Sequence, residues 1–297
     1  MEPYISALLE QACVLTGVQT ARLQTHQISQ PARGAYVLYW MQRAQRAIDN
    51  PALELGLALA GQLRLPLLTV FVLTDYPEAV KSHYRFMLEG LVETASQLRD
   101  RGIGFAMLQG NPVEMVAELC RDAAVLICDA GRLRIERSWR IRLISTLSDL
   151  PIITVETEAV VPPALACPRP AWSAAVLRTR IAAFLPHFLA PSPGPQQTLV
   201  DGTALSNTGD SRLLSAWKTM PDPSVSDMLR FQRIAIPAGT TAALKKFADF
   251  LANDLARYSQ ERNDPNAGAE SGMSPYLHFG QVSPVTLARM ALATDLP

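Results

Sequence analysis

Two short apolar runs, Tyr36-Val-Leu-Tyr-Trp40 and Leu67-Leu-Thr-Val-Phe-Val-Leu73, decide the fold class of this chain. Both are rich in β-branched and aromatic residues, and their length is typical of strands that are buried on both faces. The residues between them include a helical pattern over 52–63. A strand, a helix and a second strand in this order predict two parallel strands joined by a crossover helix.

The same alternation continues to residue 155. The pattern predicts three further strands and three further helices; the strands are 104–108, 124–128 and 152–155, and the helices are 83–98, 113–121 and 134–147. We therefore predict the α/β class, with a doubly wound, Rossmann-like parallel sheet that has helices on both faces. Neither a G-x-G-x-x-G fingerprint nor a P-loop follows the first strand.

The composition excludes several classes of protein. Of the 297 residues 48% are apolar, and 27 Lys and Arg balance 27 Asp and Glu. A net charge of zero argues against a globally basic nucleic-acid coat protein and against an acidic disordered chain. The apolar runs are short, and residues 1–18 lack the basic region of a secretory signal. We expect a cytoplasmic protein without membrane association.

The cysteines and histidines show no metal-binding pattern. Cys13, Cys120, Cys128 and Cys167 lack C-x-x-C spacing, and the four histidines are scattered. This pattern is typical of buried thiols in a reducing compartment, so no metal site is predicted.

The composition changes after about residue 165. Residues 186–226 contain six prolines and many Ser, Thr, Gly and Asp, which is typical of an interdomain connection. From residue 240, apolar residues recur every three or four positions, which predicts an amphipathic helix; they are Leu244, Phe247, Leu251, Leu255 and Tyr258. We divide the chain into a helical extension (1–33), an α/β domain (34–165), a Pro-rich connection (166–238) and the start of an all-helical domain that looks incomplete (239–297).

A possible anion site follows this helix. A turn-rich loop leads through Ser271, Gly272 and Met273 to a helix with Ser274 as its N-cap and Pro275 at its first position. The backbone N–H groups and hydroxyls of such a loop would suit a phosphate or diphosphate. The alternative is an ordinary capped helix after a turn.

The loop also carries a family resemblance. Arg262-Asn-Asp-Pro265, followed by Ser271-Gly-Met-Ser-Pro-Tyr-Leu-His-Phe-Gly-Gln-Val-Ser-Pro284, resembles the flavin-binding region of the photolyase/cryptochrome family, in particular the class II cyclobutane pyrimidine dimer photolyases. Three N-terminal stretches are also similar to that family: Tyr39-Trp-Met-Gln-Arg-Ala-Gln-Arg46, His83-Tyr-Arg-Phe-Met-Leu-Glu-Gly-Leu91 and Asp129-Ala-Gly-Arg-Leu-Arg134.

The resemblance implies two cofactors. The α/β part would be the antenna domain, with a deazaflavin or folate pigment at the sheet edge. The helical part would hold flavin adenine dinucleotide (FAD), with its diphosphate at Tyr258, Ser271, Gly272, Met273 and Ser274. The family usually has Leu where Met273 stands, and a contact through the backbone would survive that change. The catalytic residues are unknown and are expected beyond residue 297.

The implied activity is light-dependent DNA repair, in which photoexcited reduced FAD passes an electron to a pyrimidine dimer. The expected partner is UV-damaged DNA, with no membrane and no obligate protein partner. Arg262 would contact a flavin or DNA phosphate, or pair with Asp264 in the loop. Two alternatives stay open: a cryptochrome-like photoreceptor without repair, and a non-catalytic truncated remnant.

Several other residues have two interpretations. His278, Phe279 and Gln281 are placed on one helix, where Phe279 and Leu277 are favoured as packing residues. The arginine cluster at 132, 134, 137, 140 and 142 could bind an anion, but a solvated helix face is favoured. The four tryptophans are interpreted as packing residues: Trp40, Trp139, Trp172 and Trp217.

Overall fold

The N-terminal part of the chain is a six-stranded sheet. The computed structural model describes residues 4–26, 34–76, 79–147, 149–207, 236–264 and 266–294. The strands are β1 (Leu23–His26), β2 (Tyr36–Trp40), β3 (Leu67–Leu73), β4 (Gly104–Gln109), β5 (Ala123–Asp129) and β6 (Ile152–Val155). The helices of this part are α1 (Tyr4–Thr16), α2 (Pro51–Leu63), α3 (Lys81–Asp100), α4 (Pro112–Cys120) and α5 (Arg134–Thr146).

The sheet has the order β1-β6-β5-β2-β3-β4. All neighbouring strands are parallel except β1, which pairs antiparallel with β6. Strands β2, β3, β5 and β6 are buried along their whole length, which explains their continuous apolar runs. The predicted α/β class and parallel sheet are confirmed.

The order in which strands are added to the sheet reverses beside β2. From β2 the chain builds outward through β3 and β4 on one side, while β5 and β6 extend the other side. Such a switch point opens a crevice beyond the carboxyl ends of the two central strands, here at Trp40 and Asp129.

Successive side chains of β2 point to opposite faces of the sheet, and each face has its own hydrophobic core. Val37 and Tyr39 pack with α1, α2 and α3 on one face, and Leu38 and Trp40 pack with α4 and α5 on the other. The sheet is therefore covered on both faces, as the doubly wound architecture requires.

Strand β1 was not expected within the N-terminal extension. Its sequence, Leu-Gln-Thr-His, is polar at three of four positions, and none of its residues is fully buried. Because it lies at the sheet edge, it needs only one bonded neighbour and little apolar surface, so the sequence pattern does not distinguish it from a loop.

The C-terminal part is helical in the ranges described. Its helices are α6 (Pro163–Ala166), α7 (Ala174–Phe188), α8 (Thr240–Asn253), α9 (Leu255–Glu261), α10 (Ser274–His278) and α11 (Pro284–Leu292). The predicted amphipathic pattern is divided between α8 and α9, with a break at Asp254. Helix α7 lies in the stretch predicted as a connection. None of the helices in these ranges is long and apolar enough to cross a membrane.

A buried amide joins the two parts. The side chain of Gln281 donates from Nε2 to the backbone oxygen of Phe86 in α3 (3.0 Å) and accepts at Oε1 from the backbone N–H of Gly239 before α8 (2.7 Å). A Cβ on Gly90 would lie 2.2 Å from Nε2 of Gln281. Glycine at position 90 therefore makes room for the amide.

An arginine also connects the two parts, and the contacts of Gln281, Arg46 and Gly280 are together called the joint. Arg46 is 2% exposed and donates to the backbone oxygens of Gly280 (3.0 Å), Thr157 (3.1 Å) and Asp49 (3.1 Å). Gly280 has φ +64°, and a Cβ there would lie 1.6 Å from the backbone oxygen of Arg43. The stretch 39–46 and the stretch 271–284 thus meet in three dimensions.

Candidate ligand sites

A pocket of about 290 Å³ lies at the carboxyl ends of β2 and β3, beside the switch point. Both parts of the chain contribute to its walls, which include Trp40, Phe71, Tyr84, Trp139 and Phe279. This mixture of aromatic rings with a few polar groups is typical of a site for an organic ligand.

Asp129, at the end of β5, fixes the loop that follows β2, and this loop forms one wall of the pocket. Its Oδ2 accepts the backbone N–H groups of Gln42 (2.9 Å), Arg43 (2.7 Å) and Ala44 (2.9 Å), and its Oδ1 accepts the hydroxyl of Tyr39 (2.9 Å). Burial, together with the Asp129 charge, holds the pKa of Tyr39 well above its usual value. Tyr39 therefore stays a donor, and the loop after β2 has one fixed path.

Charged groups line the mouth of the pocket. Arg43 pairs with Glu158 (2.6 Å) and approaches Glu136 (3.4 Å). Burial lowers the pKa of His278, and the nearby charges of Arg43 and His83 lower it further. His278 is therefore neutral at physiological pH and can accept or donate a hydrogen bond at this mouth.

The loop 271–274, which is predicted to hold the flavin diphosphate, is more exposed to solvent than the pocket. Ser271 and Gly272 are half-buried, Ser274 is exposed, and Met273 is buried in the helical core. Tyr258 packs edge-on against Phe250, with ring centroids 5.7 Å apart. The side chain of Met273 is thus engaged in packing, and its backbone is the part left for a ligand.

A lysine that the sequence pattern did not single out lies against this loop. Gly272 has φ +64°, and a Cβ there would lie 2.4 Å from Cε and 3.1 Å from Nζ of Lys246 in α8. The ammonium group therefore lies beside Gly272 of the loop predicted to bind the phosphate. Lys246 resembles any exposed polar residue of an amphipathic helix, so no feature of the sequence distinguishes it.

Two predicted details of this region are wrong. Ser274 does not cap α10; the first intrahelical bond runs from the N–H of Leu277 to the oxygen of Met273 (3.0 Å), which makes Met273 the N-cap, without a side-chain cap. Neither Phe279 nor Gln281 shares a helix with His278, since α10 ends at His278, Phe279 is its C-cap residue and the left-handed Gly280 follows. Phe279 packs as predicted, whereas Leu277 is 39% exposed.

Some of the arginines singled out in the sequence bond to other groups of the protein, and the others are exposed to solvent. Arg262 is exposed, and its guanidinium carbon lies 5.9 Å from the ring centroid of Tyr258. Among contacts of the described residues, Arg262 has no ion pair with Asp264. In the predicted basic cluster, Arg132 pairs with Glu156 and Arg140 donates to the oxygen of Gly131. The other three cluster members, Arg134, Arg137 and Arg142, are exposed.

The tryptophan and cysteine predictions are partly confirmed. Trp40 is buried and Trp139 packs on the sheet core, but Trp172 is 86% exposed because it precedes α7, outside both sheet cores. Trp217 lies outside the described residues. Burial raises the pKa of Cys13 to about 11 and also that of Cys120 and Cys128. These three are unreactive buried thiols, while Cys167 is half-buried.

A second hollow, of about 850 Å³, lies between α1, the start of α2 and α11. Its arginines are already bonded within the protein: Arg22 donates to the oxygens of Ala159 (2.9 Å) and Val160 (2.8 Å). Burial lowers the pKa of Arg22 to about 10. Within the described ranges no group of three or more His, Cys, Asp and Glu side chains has metal-binding geometry.

A doubly wound sheet with a pocket at its switch point, joined to a helical part in which Lys246 lies against the loop 271–274, defines a protein with an α/β part and a helical part. A family model described as DNA photolyase matches residues 37–196, which is more than half of the chain. The chain therefore belongs to the DNA photolyase family, as the resemblance predicted.

Individual relatives agree with this assignment. The chain is 35% identical over 268 residues to a deoxyribodipyrimidine photo-lyase of Methanothermobacter thermautotrophicus, covering 87% of this chain and 56% of that protein. It is 33% identical to a protein of the same name from Arabidopsis thaliana, covering 83% of this chain and 51% of that one. The chain thus spans about half the length of the curated relatives it matches. The class II assignment stays a prediction.

Solved structures show the same fold. A bacterial class III photolyase from Agrobacterium tumefaciens superposes with a TM-score of 0.63 at 21% identity, over 89% of this chain and 55% of that one. An archaeal photolyase from Sulfolobus tokodaii with two FAD molecules superposes with a TM-score of 0.64 at 14% identity, over 87% of this chain and 55% of that one.

Proposed function

We propose that this chain provides the pigment site and the flavin diphosphate site of a light-dependent enzyme that splits cyclobutane pyrimidine dimers in DNA. The observation that carries the proposal is the Lys246 ammonium beside the loop 271–274, in a member of the DNA photolyase family. When bound, a reduced flavin supplies one electron to the lesion after absorbing light.

The loop has a backbone suited to a diphosphate. Gly272 has a left-handed φ of +64°, and Met273 follows in a right-handed conformation. Adjacent residues of opposite handedness turn successive N–H groups toward one point, which is the geometry of an anion-binding nest. Lys246 adds a positive charge, and the hydroxyls of Ser271 and Ser274 add further donors. Tyr258 packs in the same hydrophobic cluster as Met273, and Arg262 lies against the ring of Tyr258.

The pocket at the switch point is the proposed site of the light-harvesting pigment. Its walls combine Trp40 and Trp139 from the sheet side with Phe279 from the helical side, so a planar ligand there would be held between the two parts. The Sulfolobus structure contains two FAD molecules, which makes a flavin-type pigment in this chain a specific expectation.

The test is the absorption spectrum of the purified chain, before and after heat release of any pigment. Flavin bands at about one equivalent, or at about two if the pigment is also a flavin, followed by light-dependent loss of dimers from a UV-irradiated oligonucleotide, would support the enzyme. Flavin without repair would support the cryptochrome-like photoreceptor instead. The control is the same oligonucleotide kept in the dark with the loaded protein.

A second candidate is a pigment-binding module without repair. It is favoured by one observation: the pocket is lined by aromatic residues from both parts of this chain, whereas Ser274 in the flavin loop is exposed. A chain that retains a pigment but no FAD, and that repairs no dimers, would select this function.

A further inference from the structure

The tryptophan that precedes helix α7 lies in solvent. Trp172 is 86% exposed and belongs to none of the hydrophobic clusters that the described residues form. An indole ring has a large apolar area, and tryptophan is enriched at surfaces where proteins bind their partners. The exposure of this ring therefore indicates a binding surface at the start of α7.

The local sequence offers the ring a packing partner that the chain uses elsewhere. Ser173 is the N-cap of α7, and its hydroxyl accepts the backbone N–H of Val176 (3.3 Å). Trp172 and Leu177 thus occupy the two positions of a hydrophobic staple, in which the residue before the cap packs on the fourth residue of the helix. Leu177 packs against the small core around Phe188 instead. The ring of Trp172 is left to a ligand.

The chain around this ring is basic. No Asp or Glu occurs from residue 159 to residue 200, whereas the same stretch contains Arg169, Arg178 and Arg180. Nη1 of Arg180 donates to the backbone oxygen of Arg169 (3.4 Å), which brings these two residues together. Among the described residues none of the three arginines forms an ion pair, so their charge is available to an anion.

Helix α7 presents a flat face beside the ring. Because an α-helix turns about 100° per residue, Arg178 and Arg180 lie at the two borders of the exposed face. The bulky apolar residues of α7, such as Ile181, point to the small core. A helix that binds a membrane would turn such residues outward, so this face suits a polar, anionic partner. The residues between the two arginines are small and exposed: Ala175, Thr179, Ala182 and Ala183.

We infer that Trp172 and these three arginines bind the bases and phosphates of a DNA strand outside the lesion. The choice of DNA as the partner rests on the proposed function. An indole ring stacks on any base and arginines contact phosphates, so the surface binds a single strand without reading its sequence. None of the four residues lines the pocket or the second hollow, so binding here needs neither a flavin nor a dimer.

The experiment titrates a fluorescein-labelled, undamaged oligothymidylate with the full chain, in the dark and without added FAD, and follows fluorescence anisotropy. Trp172→Ala is expected to weaken binding about tenfold, the effect of losing one stacked base. Trp172→Phe keeps a ring and should retain most of the affinity, whereas Trp172→Leu should behave like Trp172→Ala. Leu199→Ala is the matched control, because Leu199 is 74% exposed in the same stretch without acidic residues, and it should bind like the wild type.

The arginines are tested by the salt dependence of the same titration. Each phosphate contact to a single strand contributes roughly 0.7 to the slope of log affinity against log salt concentration. Arg178→Gln should lower the slope by about this amount, and a double variant that also carries Arg169→Gln by about twice as much. Arg137→Gln removes an exposed arginine of α5 and should leave the slope unchanged. Thermal unfolding of each variant reports whether it is folded.

Four results would overturn the inference. The first is a wild-type chain that does not bind the oligonucleotide, and the second is wild-type affinity in Trp172→Ala. Wild-type affinity in Trp172→Leu would show an apolar contact in place of stacking. Self-association of the chain that Trp172→Ala abolishes, measured by sedimentation velocity, would assign the surface to a second copy.

Failure of this inference is distinct from failure of the proposed function. A chain that retains flavin but does not bind the undamaged strand loses only the surface at Trp172. A chain that binds the strand through Trp172 but retains no flavin keeps this surface and loses the proposed flavin site.

Discussion

The pocket at the switch point and the loop 271–274 are built in different ways. The pocket needs the carboxyl ends of two strands, three helices of the α/β part and Phe279 from the helical part. The loop depends on local backbone geometry at Gly272 and on one lysine from α8. A site assembled from distant elements depends on the joint between the parts, whereas a local loop does not. Substitutions at the joint should therefore affect the two sites unequally.

The largest effect is expected from Gly280→Ala. A methyl group there would meet the backbone oxygen of Arg43, in addition to the strain of the left-handed φ, so we expect a loss of about 3 kcal/mol or more in the free energy of unfolding. Urea unfolding measures it. Gly268→Ala is the control, because its φ is also positive (+63°) with nothing within 4 Å of a Cβ; it should lose only about 1 kcal/mol. Equal losses would show that the joint is not tightly packed.

Asp129→Asn tests the pocket wall by itself. The change removes a buried charge that accepts from three backbone N–H groups, so we expect a loss of about 2 kcal/mol or more in stability and weaker pigment binding. Urea unfolding and a pigment titration measure the two effects, and FAD binding at the loop should change less. Asp201→Asn is the control, since Asp201 also accepts two bonds from Thr203 but is exposed. A pigment affinity unchanged in Asp129→Asn would contradict this account of the wall.

Lys246→Met should weaken FAD binding with little change in stability. The ammonium group is exposed, so its attraction for a diphosphate is partly screened, and we expect a loss of about threefold to tenfold in affinity that diminishes at high salt. Equilibrium dialysis with FAD measures it. Lys245→Met changes the neighbouring exposed lysine of the same helix and should leave the affinity unchanged. If the two variants behave alike, Lys246 has no specific role at the loop.

The smallest effect concerns His278. Its pKa is lowered in the folded chain, so the unfolded chain binds the proton more readily, and stability should fall as the pH drops below the ordinary histidine value of about 6.5. Because part of the ring is in solvent, the loss is small. We expect the urea midpoint of His278→Gln to decline less between pH 7.5 and 5.5 than that of the wild type. His187→Gln, at another exposed histidine, is the comparison variant, and an identical decline in all three proteins would contradict the assignment.

The α/β layer was predictable because its strands are buried on both faces. Strands β2, β3 and β6 begin and end at the predicted residues, and the predicted helices differ from the observed ones by a few residues at their ends. Strand β1 and helix α7 were not predicted. The first is a polar edge strand, and the second lies in a Pro-rich stretch and contains Pro186.

The sites were less predictable than the fold. The loop 271–274 was found from its residue types and from resemblance, but the position of Lys246 depends on how α8 packs against the loop. The pocket depends on side chains that are more than 200 residues apart in sequence, such as Trp40 and Phe279. Gln281 lies in the motif that carries the family resemblance, but nothing in the sequence shows that its side chain bonds the two parts of the chain together.

The side chains that form the joint bond to backbone atoms of the residues around them. Arg46 donates to three backbone oxygens, and the side chain of Gln281 bonds to the oxygen of Phe86 and the N–H of Gly239. A substitution at a neighbouring position changes a side chain but leaves its backbone oxygen in place. The joint therefore depends on a few side chains and on glycine at positions 90 and 280, and the other surrounding positions can diverge during evolution without altering the separation of the two proposed chromophores.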